Sequence, residues 1–402
     1  MERRAGQPAA PTLVLGGNEG GGARNSVRIL LANLLPADRP RVVALAEGGL
    51  TDALRQAGLE VHVLGRRGPR ALREPGTLLP LRIAGRALYN LAWVLLRAVR
   101  LARWLRRHAG PRPLVHTNPG YPLFVALAAG ALVPFRYVCH WRAVWKPRAR
   151  LLDWATGRRV DRFVAISEAV RRSLPPAWRR KAVVIHNGIE VRRLAEEARR
   201  RRGELRDLAA VTNGTPLVLC VATYAPHKGQ HLLVEAMKTV AAARPEALAV
   251  FVGATTGSHS REYLRSLQRQ AERLGVAGRC RFLTDVPAAG ALFADAAVAA
   301  VPTWGPGEGF GLVAVEAMAC GRPVVAFRAG AAEEVIEDGR TGTLVPSGDD
   351  EALARAIVAL LDDPARARRM GRAGRRRAAE RFDAPIVARE VSRLYRRLQG
   401  GP

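Results

Sequence analysis

Cysteine, aromatic residues, acidic residues and long uncharged runs are all scarce in this 402-residue chain, and each scarcity excludes something. The four cysteines, Cys139, Cys220, Cys280 and Cys320, stand far apart without metal-ligand or redox spacing. They read as buried small hydrophobes of a reducing compartment, which argues against a disulfide framework. No Asp-x-Asp pair occurs, so one common way of holding a divalent metal is missing. The longest uncharged run, 113–135, carries Pro113, Pro119, Pro122 and Pro134 and reads as buried α/β structure, not as a membrane span. The first six residues lead into a short strand-like segment at 12–16 without an apolar core or cleavage site, so no signal peptide is expected. The location this implies is the cytosol or the inner face of a membrane.

What is abundant is positive charge. Against 35 Asp and Glu stand 64 Lys and Arg, a net of +29. Residues 1–190 hold 32 basic and 11 acidic residues, a net of +21, and the remainder carries only +8. Such a field attracts anionic lipid, nucleic acid or an acidic substrate, and charge alone does not choose among them. The length accommodates two domains, each with its own core.

The most informative stretch runs from Gly305 to Gly321. Glycines at 305, 307, 309 and 311, with Pro306, favour an irregular turn. Good helix formers follow, then Gly321 as a helix stop and the strand-like 322–327. A glycine turn feeding a helix start leaves backbone N–H groups unpaired, and with the helix dipole these make a phosphate site. Glu308 sits in the turn and Glu316 is expected about two helical turns inside, on the same side. Anion donors flanked by carboxylates suit a ligand with a diphosphate centre and polyhydroxyl ends, the shape of a nucleotide sugar.

The Glu308-x7-Glu316 spacing within EGFGLVAVEAMACGRPVVA resembles the signature of the retaining glycosyltransferases of family 4 (glycosyl transferases group 1). The resemblance implies an α/β fold of two Rossmann-like domains facing across a cleft, the GT-B architecture. It implies an acceptor-side domain over 1–188, completed by a helix over 384–402 that returns to it, and a nucleotide-sugar domain over 189–383. The polar stretch 190–213 reads as the linker.

Other segments follow the same pattern. A strand at 12–16 ends in Gly16 and Gly17, and the glycine loop continues to Gly22 before a helix over 24–35, as in an opening βα unit. The loop does not fit G-x-G-x-x-G, but resembles the family's Gly-Gly loop facing donor and acceptor. Strand-like 114–118 and 135–140 end in polar groups, where open α/β sheets place ligands. The family places a donor-sugar contact at the position of His140, although Trp141 replaces the usual small residue or acid after it. His116 reads as structural. After the strand at 217–223, Lys228 matches a diphosphate-binding lysine, and Thr223 stands where the family has an arginine. The backbone around Val286 is expected beside the nucleotide base, and Gly309, Phe310, Gly311 and Leu312 at the phosphates.

The segment Arg82–His108 combines arginines with an apolar side of Leu88, Leu91, Leu95, Val99, Ala102 and Leu105, with Trp93 and Trp104 at its margins. Such a helix lies in an anionic membrane interface. An ordinary domain helix with solvated arginines is the other reading.

The activity implied is metal-independent transfer of a sugar, with retention, from a nucleotide sugar to a glycan or lipid-linked acceptor in cell-surface polysaccharide or glycolipid synthesis. The nucleotide sugar is a co-substrate and no cofactor is expected. Glu316 is assigned to the ribose hydroxyls, Glu308 to the donor sugar, His140 to the reacting centre, and Lys228 to the leaving group. Three alternatives stay open: a nucleotide-sugar binder without catalysis, an epimerase of similar architecture, and a basic nucleic-acid-binding protein. The last lacks any recognised motif or basic–aromatic surface pattern, so no nucleic acid is expected.

Overall fold

In the computed structural model, residues 10–17, 21–69, 80–146, 150–255, 257–305 and 308–400 are described. The Asn18–Gly20 part of the glycine loop, Pro306 and Gly307 of the central turn, and the side chain of Arg82 lie outside that description. The chain divides into two compact units. One comprises residues 1–166, 170–185 and 387–402, and the other 167–169 and 186–386.

The first unit is built on seven strands: β1 (Thr12–Leu15), β2 (Arg41–Ala44), β3 (Val61–Val63), β4 (Leu114–Thr117), β5 (Arg136–Trp141), β6 (Arg162–Ala165) and β7 (Ala182–Val184). All pairs are parallel, in the order β3-β2-β1-β4-β5-β6-β7. The second unit holds β8 (Leu217–Val221), β9 (Leu248–Gly253), β10 (Cys280–Thr284), β11 (Val298–Val301), β12 (Val324–Phe327) and β13 (Gly342–Val345). Its order, β10-β9-β8-β11-β12-β13, is also fully parallel. Most of these strands are short runs of Val, Leu, Ala and Phe buried on both faces, the composition a helix-covered parallel sheet requires. Each order reverses direction once, between β1 and β4 and between β8 and β11. Open α/β sheets bind ligands outside the carboxyl ends of the strands at such a reversal.

Both cores are continuous. In the second unit Val218, Phe251, Val298 and Val325 of the sheet meet Leu233 and Met237 on one helix and Leu353 and Ile357 on another. In the first, Leu13, Leu15, Val138 and Val164 pack against Val387, Val391 and Tyr395 of the helix Ala384–Leu398. The carboxyl-terminal helix is thus part of the first unit's core. The stretch 190–213, expected to be a linker, instead forms helices Val191–Arg200 and Glu204–Ala209 in the second unit. Its buried Val191, Ala195, Ala198 and Leu205 supply an apolar stripe that its charge obscures.

The helix Pro80–His108 differs from expectation in which face it buries. Trp93 and Trp104 are buried, and Trp93 Nε1 donates to Arg67 O at 2.9 Å. Arg97 is buried too, its Nε donating to Leu45 O at 2.8 Å, and Arg100 Nη1 reaches Leu64 O at 2.7 Å. These cations satisfy carbonyls just beyond β2 and β3, where the ladder ends. Ala102 and Leu105 are buried, whereas Leu88 (68% exposed), Leu91 (56%), Leu95 (52%) and Leu96 (49%) face outward.

One backbone approach fixes the turn after β8. Gly229 has φ of +71°, and a Cβ there would lie 1.8 Å from Pro302 O. Gly229→Ala is expected to cost at least about 2 kcal/mol through strain and backbone displacement. Urea denaturation checks this: an unchanged midpoint for the second unit's transition would contradict the close approach.

Candidate functional site

The carboxyl ends of β8 and β11 bring three of the sequence-predicted residues together. Lys228 closes a short 3-10 turn, Pro226–Lys228, after β8, and Glu308 follows β11. Lys228 Nζ lies 2.6 Å from Glu308 Oε2. Glu308 Oε1 accepts a hydrogen bond from Gly311 N at 3.2 Å. Gly311, with φ of +85°, is the N-cap of the helix Leu312–Ala319. One carboxylate therefore spans the lysine and the N-cap amide of the helix. Ala314 N bonds Gly311 O, so the amides of Leu312 and Val313 are the ones helix geometry leaves unpaired. The Glu308 backbone is held as tightly: a Cβ on Gly330 would lie 2.2 Å from Glu308 O.

The helix buries Ala314, Val315, Ala317, Met318 and Ala319 and leaves Leu312, Val313 and Glu316 partly open. The less buried side chains Leu312, Val313 and Glu316 thus share one face, at the end of the helix where the two amides are unpaired. Because the helix starts at Leu312, Glu316 lies about one turn inside it, not the expected two. Part of the Glu316 side chain meets solvent, yet protein atoms crowd it. A Cβ on Gly290 would stand 3.0 Å from Glu316 Oε2. Burial pushes its carboxyl up to about 7.

Phe310 is buried, its ring 5.5 Å from that of His186 and 5.6 Å from that of Phe382. It anchors the turn, and only its backbone is free to meet a ligand. Gly309 O accepts from Ser167 Oγ at 2.7 Å. Thr223 is exposed, and its carbonyl accepts from Gln230 Nε2 at 2.9 Å. Val286 is half-buried in a loop where Asp285 (φ +55°) and Ala288 (φ +49°) both adopt left-handed backbone. Two non-glycine residues in that region store strain of about 1 kcal/mol each or more.

One residue of this region carried no sequence signal beyond its place in the chain order. Glu334 accepts from Glu168 N at 2.6 Å and Ala169 N at 2.8 Å, and lies 3.3 Å from His186 Nε2. Burial pushes its carboxyl up, but the bonds from His186, Glu168 and Ala169 outweigh that and hold it below the ordinary range. The partners of Ser167 and Glu168 lie more than 140 positions away, so no local pattern announces them.

In the first unit, Gly16 and Gly17 follow β1, and a Cβ on Gly17 (φ +100°) would lie 2.0 Å from Ala46 O. His140 is buried near the end of β5, its Nδ1 3.3 Å from Arg142 Nη2. Arg142 Nε donates to Asn118 Oδ1 at 3.0 Å. His140 stacks on His116 with centroids 5.4 Å apart and planes within 14°. His116 Nδ1 is 2.5 Å from Tyr395 Oη. The Nε2 atoms of both histidines are buried without a partner among the described residues. Burial, then Arg142, lowers both; His116 reaches about 3. Trp141 is buried and meets Trp178 edge-on at 5.4 Å, a packing role.

Known proteins resemble this chain in sequence and in fold. A family profile described as glycosyl transferases group 1 matches residues 202–377, and one described as Glycosyltransferase Family 4 matches residues 49–193. A GDP-mannose-dependent alpha-(1-6)-phosphatidylinositol monomannoside mannosyltransferase of Mycolicibacterium smegmatis is 30% identical over 387 residues, covering 88% of this chain and 94% of that protein. A D-inositol 3-phosphate glycosyltransferase of Streptomyces avermitilis is 35% identical over 265 residues, 62% of this chain and 55% of that one. The Anabaena protein HepE, crystallised with UDP-glucose, has a TM-score of 0.75 at 25% identity, covering 96% of this chain and 99% of its own. A Rickettsia africae glycosyltransferase reaches 0.79 at 17% identity, covering 97% and 98%, which speaks to the fold alone. Fold and relatives together define a glycosyltransferase of the GT-B class that uses a nucleotide sugar. Within that class, this chain belongs to glycosyltransferase family 4, the glycosyl transferases group 1.

The raised Glu316 carboxyl has a signature in stability. Between about pH 4.5 and 7 the unfolded chain releases this proton while the folded protein keeps it, so stability falls as pH rises across that window. Glu316→Gln removes the fall. The variant's midpoint relative to wild type is expected to rise by a few degrees in Tm from pH 5 to pH 8. Equal differences at both pH values would return the carboxyl to its ordinary range.

Proposed function

We propose that this protein transfers a mannosyl group from GDP-mannose, with retention and without a divalent metal, to an inositol-containing lipid glycan. The observation that carries the reading is the Glu308 carboxylate bridging Lys228 and Gly311 N at the head of the Leu312–Ala319 helix. Carboxylate and phosphate make similar demands, so the groups that hold Glu308 match those a diphosphate needs. When the donor enters, its diphosphate takes Lys228 and the Leu312 and Val313 amides, and Glu308 turns to the sugar hydroxyls. Glu316 receives the ribose hydroxyls on the same helix face, and Val286 lies by the base. The resemblance assigns His140 to the donor sugar, and its unpartnered Nε2 is the atom for that role.

The chemistry then needs little from the protein. The acceptor oxygen bonds to the anomeric carbon on the face from which the phosphate leaves. The anomeric carbon–oxygen bond to phosphate breaks, and the acceptor proton passes to the departing phosphate oxygen. Lys228 and the helix amides stabilise the charge that grows there. Donor and acceptor types follow the mycobacterial relative, which this chain matches over nearly its whole length.

A charged hydrogen bond contributes roughly 1.5–3 kcal/mol. Glu316→Gln is therefore expected to weaken GDP binding about tenfold or more. GDP affinity of the wild type should also improve as pH rises through about 7, because only the ionised carboxylate accepts both ribose hydroxyls. Calorimetry with GDP measures both effects, and unchanged affinity in the variant would remove Glu316 from the site. Incubation of the protein with GDP-mannose and a phosphatidylinositol-based acceptor, with and without EDTA, tests the reaction. An α-anomeric product at equal rates supports it; a β-linked product or EDTA-sensitive turnover would overturn retention or metal independence.

The same reading places the protein on the inner face of the cell membrane. Among the described residues no helix is long and apolar enough to cross a membrane. The outward stripe Leu88, Leu91, Leu95, Leu96 and Val99 continues into exposed Arg103 and Arg107, an amphipathic face suited to anionic lipid. Each arginine near such a surface contributes about 1 kcal/mol. Replacing Leu91 and Leu95 together with Glu is expected to weaken sedimentation with phosphatidylinositol-containing vesicles at least tenfold while leaving GDP binding intact. Undiminished sedimentation would leave this helix without a membrane role.

A further inference from the structure

A cavity of about 370 Å³ lies at the other edge of the second unit's sheet. Its walls include Pro216, Ala297 and Pro323, the residues that immediately precede β8, β11 and β12. These strands are parallel, so the cavity sits at their amino ends, whereas Thr223, Lys228 and Glu308 follow the carboxyl ends. A five-residue strand separates the two edges by about 15 Å. The volume falls within the roughly 300–1,000 Å³ of ordinary small-molecule sites.

Three arginines line it, Arg206, Arg322 and Arg368. None forms an ion pair among the described residues. Arg206 Nη1 donates only to carbonyls, those of Thr212 and Thr215, both at 3.1 Å. Arg322 donates through Nη2 to Ala294 O, while its Nε is buried with no acceptor. Burial lowers the Arg322 guanidinium from its ordinary range, Arg202 and Arg206 push the same way, and Cys320 and Asp295 only partly oppose them.

The position of Arg322 is set by the backbone. Its N–H bonds Ala317 O, and that of Gly321 bonds Met318 O, the two bonds of a Schellman stop to the Leu312–Ala319 helix. A guanidinium so placed, with like charges near and its Nε–H unpaired, costs free energy that an anion beside it would offset. The one acidic wall residue, Asp295, is already engaged by Gly203 N at 2.9 Å and Leu205 N at 3.1 Å. Three cations against one carboxylate leave two positive charges. A phosphate monoester carries roughly that negative charge at neutral pH. The rest of the wall, with Leu361, Pro323 and Pro364, is apolar.

We propose that this cavity binds a small organic phosphate monoester, its phosphate held by Arg206, Arg322 and Arg368 and its apolar part against Leu361 and the prolines. The site is separate from the donor end, and only the GDP controls in its test rest on the sugar-transfer reading.

Calorimetry of the intact protein with phenyl phosphate, in the presence of saturating GDP, tests this. One saturable site is expected, with inorganic phosphate binding more weakly and phenol not at all. Arg368→Glu and Arg206→Glu should each weaken binding at least tenfold, while GDP binding is kept. Arg192→Glu makes the same charge change at a side chain 93% exposed on another helix and should leave binding unchanged. Displacement of phenyl phosphate by GDP would return it to the donor end. An equal loss in Arg192→Glu would reduce it to diffuse charge, and binding to phosphatidic acid vesicles alone would make it a lipid surface. Each of these results overturns the proposal.

Discussion

A single carboxylate organises the loops at the carboxyl ends of the second unit's strands. Glu308 is bound at once by the Lys228 ammonium and by the Gly311 amide, and its backbone is pressed against Gly330 so closely that no larger residue fits there. Together these contacts hold the loops after β8, β11 and β12 in register around one helix start. Phe310, sunk between His186 and Phe382, keeps the turn from lifting away. An unpaired lysine beside several exposed amides would be an unbalanced positive site. Glu308 supplies the balance internally, through its contacts with Lys228 and Gly311 N.

The parts of this arrangement that the sequence discloses are those encoded within one element or one turn. The glycines around Glu308, the helix that follows and the Gly321 stop are all local, and their backbone chemistry is readable residue by residue. The parallel sheets were legible for a similar reason: strands buried on both faces have no polar alternation to confuse the pattern. Exact depth was not. The turn takes up three residues after Glu308 before the helix begins, which moves Glu316 one turn closer to the helix start than simple counting gave.

Contacts between distant segments left no such trace. Glu334 meets Ser167's neighbours across more than 160 positions, and Tyr395 meets His116 across 279. The orientation of the Pro80–His108 helix was hidden for a different reason. Arginine is ambivalent: its stem packs like a hydrophobe and its head bonds to carbonyls, so a row of arginines marks a buried face as readily as a solvated one. Arg97 takes the first role, and the leucines opposite are left outside. The helices over 191–209 were misread by the same property, since their charge concealed a narrow buried stripe.

The returning helix has a bearing on how the molecule is made. Val387, Val391 and Tyr395 complete a hydrophobic core whose other members lie mostly in the first half of the chain. During synthesis that half must wait, with only the helices that carry Leu31 and Leu54 over this side of its sheet, until the ribosome has produced roughly two hundred further residues. The second unit's sheet and helices lie wholly within the intervening segment, so it can close first. Maturation therefore runs against the order of translation, and the earlier-made portion is the one that most needs protection from aggregation while it waits.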